Sequence, residues 1–205
     1  MTATVTKPRR RRRSPDEAVG EIIAAAEQFL RERPFREMTV DEVMRRTELS
    51  RPSFYVYFRD RHHLVLQVVE HITAELFTPS ERWYESSDDG EQMAREALEE
   101  VVDLFHLHGP VLRALSDAAP DAPDVERAYS QMVQTFVDHT ARHIADEIAA
   151  GRIAPIDAYE TAKALILMNE RYLNDSLGRE PRTPRDVVTS TLVTIWTRTL
   201  YPRGS

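Results

Sequence analysis

Apolar residues recur at helical spacing over most of the chain, and punctuation divides them into separate helices. Ser14-Pro15-Asp16-Glu17 reads as a start signal: Ser14 caps, Pro15 takes the first helical position, and Glu17 reaches back to close a capping box. Val19, Ile22, Ile23, Ala26, Phe29 and Leu30 then follow on one face until Pro34 stops the helix. Thr39 and Glu42 repeat the capping box, with Met38 stapling onto Val43, for a short second helix ending near Thr47. Ser50 caps a third short helix, with Leu49 stapling onto Phe54, that ends near Phe58. Asp60 caps a long fourth helix with Leu64, Val65, Val68, Val69, Ile72 and Leu76 on one face. Beyond Pro79 the pattern predicts helices over about 90–107, 110–117, 122–150, 156–177 and 184–200, separated at Gly109-Pro110, Pro120/Pro123, Gly151/Pro155 and Gly178/Pro181/Pro184. The fold class expected is all-α: a three-helix helix-turn-helix domain over 14–61, then a helical body over 62–205, with the helix at 61–78 linking the two.

Two short helices joined by a three-residue turn form the arrangement that places a second helix in the DNA major groove. Projected at about 100° per residue, Phe54 and Phe58 fall together and face inward. Pro52, Tyr55, Val56 and Arg59 fall on the opposite arc, with Arg51 at the N-terminal end. A helix this short is unstable alone, so its inner face must be pinned for its outer face to be read. Arg51 can fork onto guanine, Ser53 and Tyr55 can donate to phosphates or bases, and Pro52 offers apolar surface to a thymine methyl, as does Val56. Tyr57 is expected at the edge, its ring inside and its hydroxyl free for a phosphate. Thr39 and Arg61 stand at helix starts, which attract phosphate oxygens, and Arg45 and Arg46 add backbone charge.

The charge distribution favours the same assignment. The 205 residues carry a net charge of −7, but residues 1–61 sum to +4 and residues 62–205 to −11. A basic head on an acidic body suggests that only the head meets a polyanion. Residues 1–13, with Lys7 and five consecutive arginines at 9–13, read as a disordered basic arm that either reaches along DNA or only solubilises the chain. Hydrophobic residues make up 41%, enough for a core, while six glycines suit helices better than turn-rich strands. With no cysteine, disulfides and thiolate chemistry are excluded. No apolar run approaches the roughly 20 residues of a membrane span, and no signal-type apolar stretch follows the basic start. The expectation is a soluble cytoplasmic protein without cofactor. Pro202-Arg203-Gly204-Ser205 is either a linker remnant or a natural tail.

In the body, Ala162 to Met168 is apolar nearly all round, and Val187, Val188, Leu192, Ile195, Trp196 and Leu200 stud the last helix. These two helices serve either a four-helix homodimer interface or ordinary packing within one chain. Asn169 follows an apolar run and points either to a backbone carbonyl or into an apolar pocket.

The stretch Thr39-Val40-Asp41-Glu42-Val43, with Leu49-Ser50-Arg51-Pro52-Ser53-Phe54-Tyr55-Val56-Tyr57-Phe58-Arg59-Asp60-Arg61 and Leu64, resembles the DNA-binding segment of the TetR family of repressors. The resemblance implies an all-α homodimer that binds a palindromic double-stranded operator and is released by a small ligand in its C-terminal domain. It places DNA contacts on Thr39, Arg51, Ser53, Tyr55, Tyr57 and Arg61. Three departures stand out. Glu48 replaces a turn glycine, costing about 1 kcal/mol if that turn needs positive φ. Val56 replaces a common basic residue, and His62-His63 an acidic pair. Leu165-Ile166-Leu167-Met168-Asn169-Glu170-Arg171, with Val193-Thr194-Ile195-Trp196, is similar to the ethionamide-resistance (EthR) subgroup, whose long apolar channel accepts lipophilic ligands. The matching positions are Phe136, His139, Thr140, Asn169 and Trp196, and Phe105 and Leu165 complete the expected lining. Ile166 takes the place of a second pocket asparagine.

Two other readings compete. An activator or architectural protein without effector would have a fully packed body. A metal-dependent helical enzyme would use His139, His143, Asp146 and Glu147, or Asp103 and His106; but no zinc-protease motif, paired Glu-x-x-His units, phosphate loop or serine elbow accompanies them.

Overall fold

A computed structural model describes residues 14–85, 89–118 and 122–202; the basic arm at 1–13, Pro120 and the last three residues lie outside them. Among the described residues there are eight α-helices: α1 (Pro15–Glu32), α2 (Val40–Met44), α3 (Arg51–Tyr57), α4 (Arg61–Tyr84), α5 (Gly90–Ala118), α6 (Pro123–Ala149), α7 (Ala158–Leu177) and α8 (Arg185–Leu200), with a 3-10 turn at Phe35–Glu37. None is long and apolar enough to cross a membrane.

Local chemistry explains the starts. At α1 the box is complete: Ser14 Oγ accepts from the Glu17 amide at 3.1 Å, and Glu17 Oε2 accepts from the Ser14 amide at 2.8 Å. Asp60 caps α4 by accepting from the His63 amide at 2.9 Å, a bond that holds its carboxyl below the usual range. Thr39 accepts from the Glu42 amide at 3.2 Å, but Glu42 does not close the expected box. Its carboxylate turns to Arg33, Arg45 and Arg46, where ion pairing outcompetes one backbone donor. Ser50 does not cap α3 with its side chain; its hydroxyl lies 2.8 Å from that of Ser53.

Two prolines expected to end helices lie inside them. α4 continues through Pro79 for five further residues, where Ser80 and Trp83 are buried. α5 runs unbroken through Gly109-Pro110, merging the helices expected at 90–107 and 110–117. Pro110 cannot donate to the carbonyl four residues back, and the Arg182 guanidinium supplies that bond, 2.8 Å from His106 O. Gly109 serves close packing rather than a turn: a Cβ there would stand 2.7 Å from Leu177 O.

α1, α2 and α3 pack in sequence as a head that rests on α4 through α1, while α5 and α6 pack along α4 and α7 and α8 pack in turn on α5 and α6. One apolar core runs through both, from Phe29, Met38 and Phe54 to Leu112, Leu173 and Leu192. At the junction, buried His108 of α5 is held between two carboxylates. Its Nε2 lies 2.7 Å from Glu75 of α4, and its Nδ1 lies 3.4 Å from Glu27 of α1. Burial depresses the imidazole pKa, but the carboxylates outweigh it and hold the group above its usual value.

Candidate nucleic-acid interface and body cavity

α3 is built as its spacing requires. Phe54 is fully buried and Phe58 nearly so, their ring centroids 5.4 Å apart, while Tyr55 and Val56 are 53% and 73% exposed. A second aromatic contact, Tyr55 edge-on to Phe54 at 5.2 Å, steadies the outer ring. Pro52 is exposed, whereas Ser53 and Tyr57 are half-buried at the rim. The turn before α3 carries no strain, because no non-glycine residue among those described has positive φ. The penalty expected at Glu48 is therefore absent; its amide instead donates to Glu21 of α1 at 2.7 Å.

The arginines divide into two groups. Arg51 is largely exposed, 2.7 Å from Asp41 and near the face of Tyr55, and Arg45 is exposed beside Glu42. Arg46 and Arg61 are drawn inward. Arg46 donates to Glu42 O at 2.8 Å and to Glu32 at 2.9 Å, with its guanidinium over Phe29. Arg61 donates to Met38 O at 2.8 Å and sits over Phe35. Exposed Thr39 spends its hydroxyl's acceptor capacity on the α2 cap.

The body contains an apolar cavity with about 700 Å³ of non-atom space, part of it open to solvent. Phe105, Phe136, Thr140, Asn169 and Trp196 line it, as expected. His139 does not: its ring packs edge-on against Phe77 at 4.8 Å and beside Tyr84 of the wall at 5.7 Å. Leu165 does not either, since α7 presents Ile166, Asn169, Glu170 and Leu173 to the space and buries Leu165 in the core. The sequence reading missed the wall contributed by α4: Leu76, Ser80, Trp83 and Tyr84. Their spacing of four, three and one is the signal that could have revealed it. Asn169 Oδ1 accepts from Trp196 Nε1 at 2.9 Å, and the Tyr84 and Thr140 hydroxyls are 3.1 Å apart. Burial holds the Tyr84 phenol above its usual pKa.

Three of the residues considered for metal chemistry, His143, Glu147 and Asp103, have other partners. His143 Nδ1 lies 3.1 Å from Tyr84 O, and burial holds its pKa low. Arg152 pairs with Glu147, and Arg185 with Asp103. Among the described residues, no group of three or more possible ligands is assembled for a metal ion.

A model of the TetR-family regulatory domain matches residues 22–68, and a model of the EthR C-terminal domain matches residues 94–202. The HTH-type transcriptional regulator EthR of Mycobacterium tuberculosis is 32% identical over 97% of this chain and 94% of its own length. The protein of the same name from Mycolicibacterium smegmatis is 30% identical over 98% and 95%. Among solved structures, Salmonella enterica GusR superposes with a TM-score of 0.75 at 18% identity, covering 92% of this chain and 97% of that one. The chain belongs to the TetR family of transcriptional regulators, DNA-binding proteins rather than enzymes, and carries an EthR-type C-terminal domain.

Proposed function

We propose that the chain is a ligand-released repressor, binding a palindromic operator as a homodimer and leaving it when a small lipophilic molecule occupies the body cavity. The observation that carries this reading is α4. Its N-terminal end packs against the head, where His62 meets Phe35 and His63 meets Phe58, and its C-terminal half walls the cavity through Leu76, Ser80, Trp83 and Tyr84. A helix of 24 residues spans about 36 Å, so a shift at one end is delivered to the other. The ligand moves the equilibrium only as far as its affinities for the two states differ.

Arg51, Pro52, Ser53, Tyr55 and Tyr57 are the base- and backbone-contacting set on this reading, with Arg45 and Thr39 at the flank. Arg46 and Arg61 are assigned to holding the head together. Homodimerisation is assigned to α7 and α8, whose Leu167, Val187 and Ile195 remain 47%, 45% and 37% exposed in the single chain. The cavity also speaks against an effector-independent activator, which would have no use for it. The test is titration of cavity ligands against operator-bound protein. Loss of operator affinity with ligand occupancy supports the reading; tight binding with unchanged operator affinity refutes it.

A further inference from the structure

We infer that the cavity selects molecules joining a lipophilic body to a cationic nitrogen, with Glu170 as the residue that selects them. This rests on the effector reading above and narrows its ligand class. Glu170 stands on the cavity wall as part of α7. Its Oε1 accepts from the Tyr129 hydroxyl and from Asn174 Nδ2, each at 2.8 Å, and Asn174 Nδ2 lies 2.7 Å from the same hydroxyl. Burial and the neighbouring carboxylate push the Tyr129 phenol well above its usual range, so it remains a donor. The carboxylate is therefore held in one place by two buried groups.

What it lacks is a cation. The two carboxylates buried more deeply each have one: Glu27 has Arg31 and His108, and Glu147 has Arg152. Glu170 makes no ion pair among the described residues. Glu170 is half-buried, and its two hydrogen bonds orient the charge without neutralising it, leaving an unpaired negative charge at the cavity wall. The same cavity presents the rings of Trp83, Tyr84, Phe105, Phe136 and Trp196. Aromatic faces attract ammonium groups. The combination of a fixed carboxylate, aromatic walls and an otherwise apolar space is complementary to an alkylammonium. It favours a neutral molecule less and opposes an anionic one. The −11 charge of residues 62–205 acts in the same direction.

The test uses the full-length protein and three probes sharing one tail: decylammonium, decan-1-ol and decanoate. Both tryptophans of the chain, Trp83 and Trp196, line the cavity, so their fluorescence reports occupancy. Decylammonium should bind about tenfold or more tighter than decan-1-ol, with decanoate weakest. Glu170→Gln, which keeps an oxygen for Tyr129 and Asn174, should erase the difference between amine and alcohol. If the alcohol binds and the amine binds no tighter to the unmodified protein, the inference about Glu170 is wrong while the effector cavity stands. If the preference survives in Glu170→Gln, another group creates it and the inference is again wrong. If none of the three binds, both the inference and the effector reading fall.

Discussion

Replacing Phe54 with alanine tests whether the recognition helix is held from within. α3 has seven residues, far below the roughly 12–15 at which isolated helices become even marginal. Its docking therefore depends on the rings it buries. Phe54 is fully excluded from solvent and contacts both Phe58 and Tyr55. A buried Phe→Ala change costs about 3–5 kcal/mol, against a total stability of about 5–15 kcal/mol for a typical domain. The loss falls first on α3, because Phe54 belongs to that helix and does not line the cavity. The expected outcome is a lower unfolding midpoint, faster amide exchange across α3, and operator affinity reduced by more than about tenfold through the shrinking fraction of docked helix. Fluorescence anisotropy with labelled operator measures the last effect. Retained binding of a cavity ligand confirms that the body is still folded. Val56→Ala is the matched control: the side chain is 73% exposed, so stability should change by no more than about 0.5 kcal/mol. Operator binding by Phe54→Ala within twofold of the unmodified protein would refute the idea that the inner face holds the outer one.

Other consequences are open to direct measurement. Arg51→Ala should cost about 1–3 kcal/mol of operator affinity and relax preference at one base position; equal loss on every sequence would deny it a base-reading role. Arg46→Ala and Arg61→Ala should lower thermal stability, since each removes donors from partly buried acceptors, while leaving the salt dependence of DNA binding unchanged. A slope lower by about one unit would return either residue to a phosphate. His108 should give the junction a pH dependence. Its pKa is raised above 6.5 in the folded chain, so its contribution is complete below the unfolded value and is lost as pH rises through the folded one. Glu27, held below 4.5 despite burial, adds stability above 4.5 that is lost as pH falls through its lowered value. Glu75 and the His71 beside it face the same group. The thermal midpoint should therefore fall as pH is raised from about 6 through neutrality, and this slope should vanish in His108→Gln. Equal slopes in both proteins would contradict it.

Features set by neighbouring residues were legible in the sequence. The Ser14 and Asp60 caps, the inward turn of Phe54 and Phe58 and the outward turn of Tyr55 and Val56 all follow from spacing along a helix. Features set by distant partners were not. Pro110 lies inside α5 because Arg182, 72 residues away, replaces its missing donor. Arg46 and Arg61 look like free surface charge until Phe29 and Phe35 are seen beneath them. One wall of the cavity was hidden for a related reason: α4 carries Leu76, Ser80, Trp83 and Tyr84 in a pattern that reads equally well as core. Leu165 and Ile166 differ by only 100° around one helix, an angle that apolar periodicity cannot resolve when most of the neighbouring positions are apolar too. The α4 end of the His108 clamp has no short-range sequence signature at all.

On this reading the outer face of α3 reads base edges, in pairs, on one side of a duplex. Selection of bound fragments from random DNA, run with the unmodified protein and with Arg51→Ala, tests it most directly. The expected product is an inverted repeat whose half-site centres lie about one helical turn, roughly 34–36 Å, apart or a multiple of that, with a changed or relaxed base at a symmetric pair of positions in the variant. Enrichment of no repeat, or the same repeat with identical base preferences from both proteins, would contradict it.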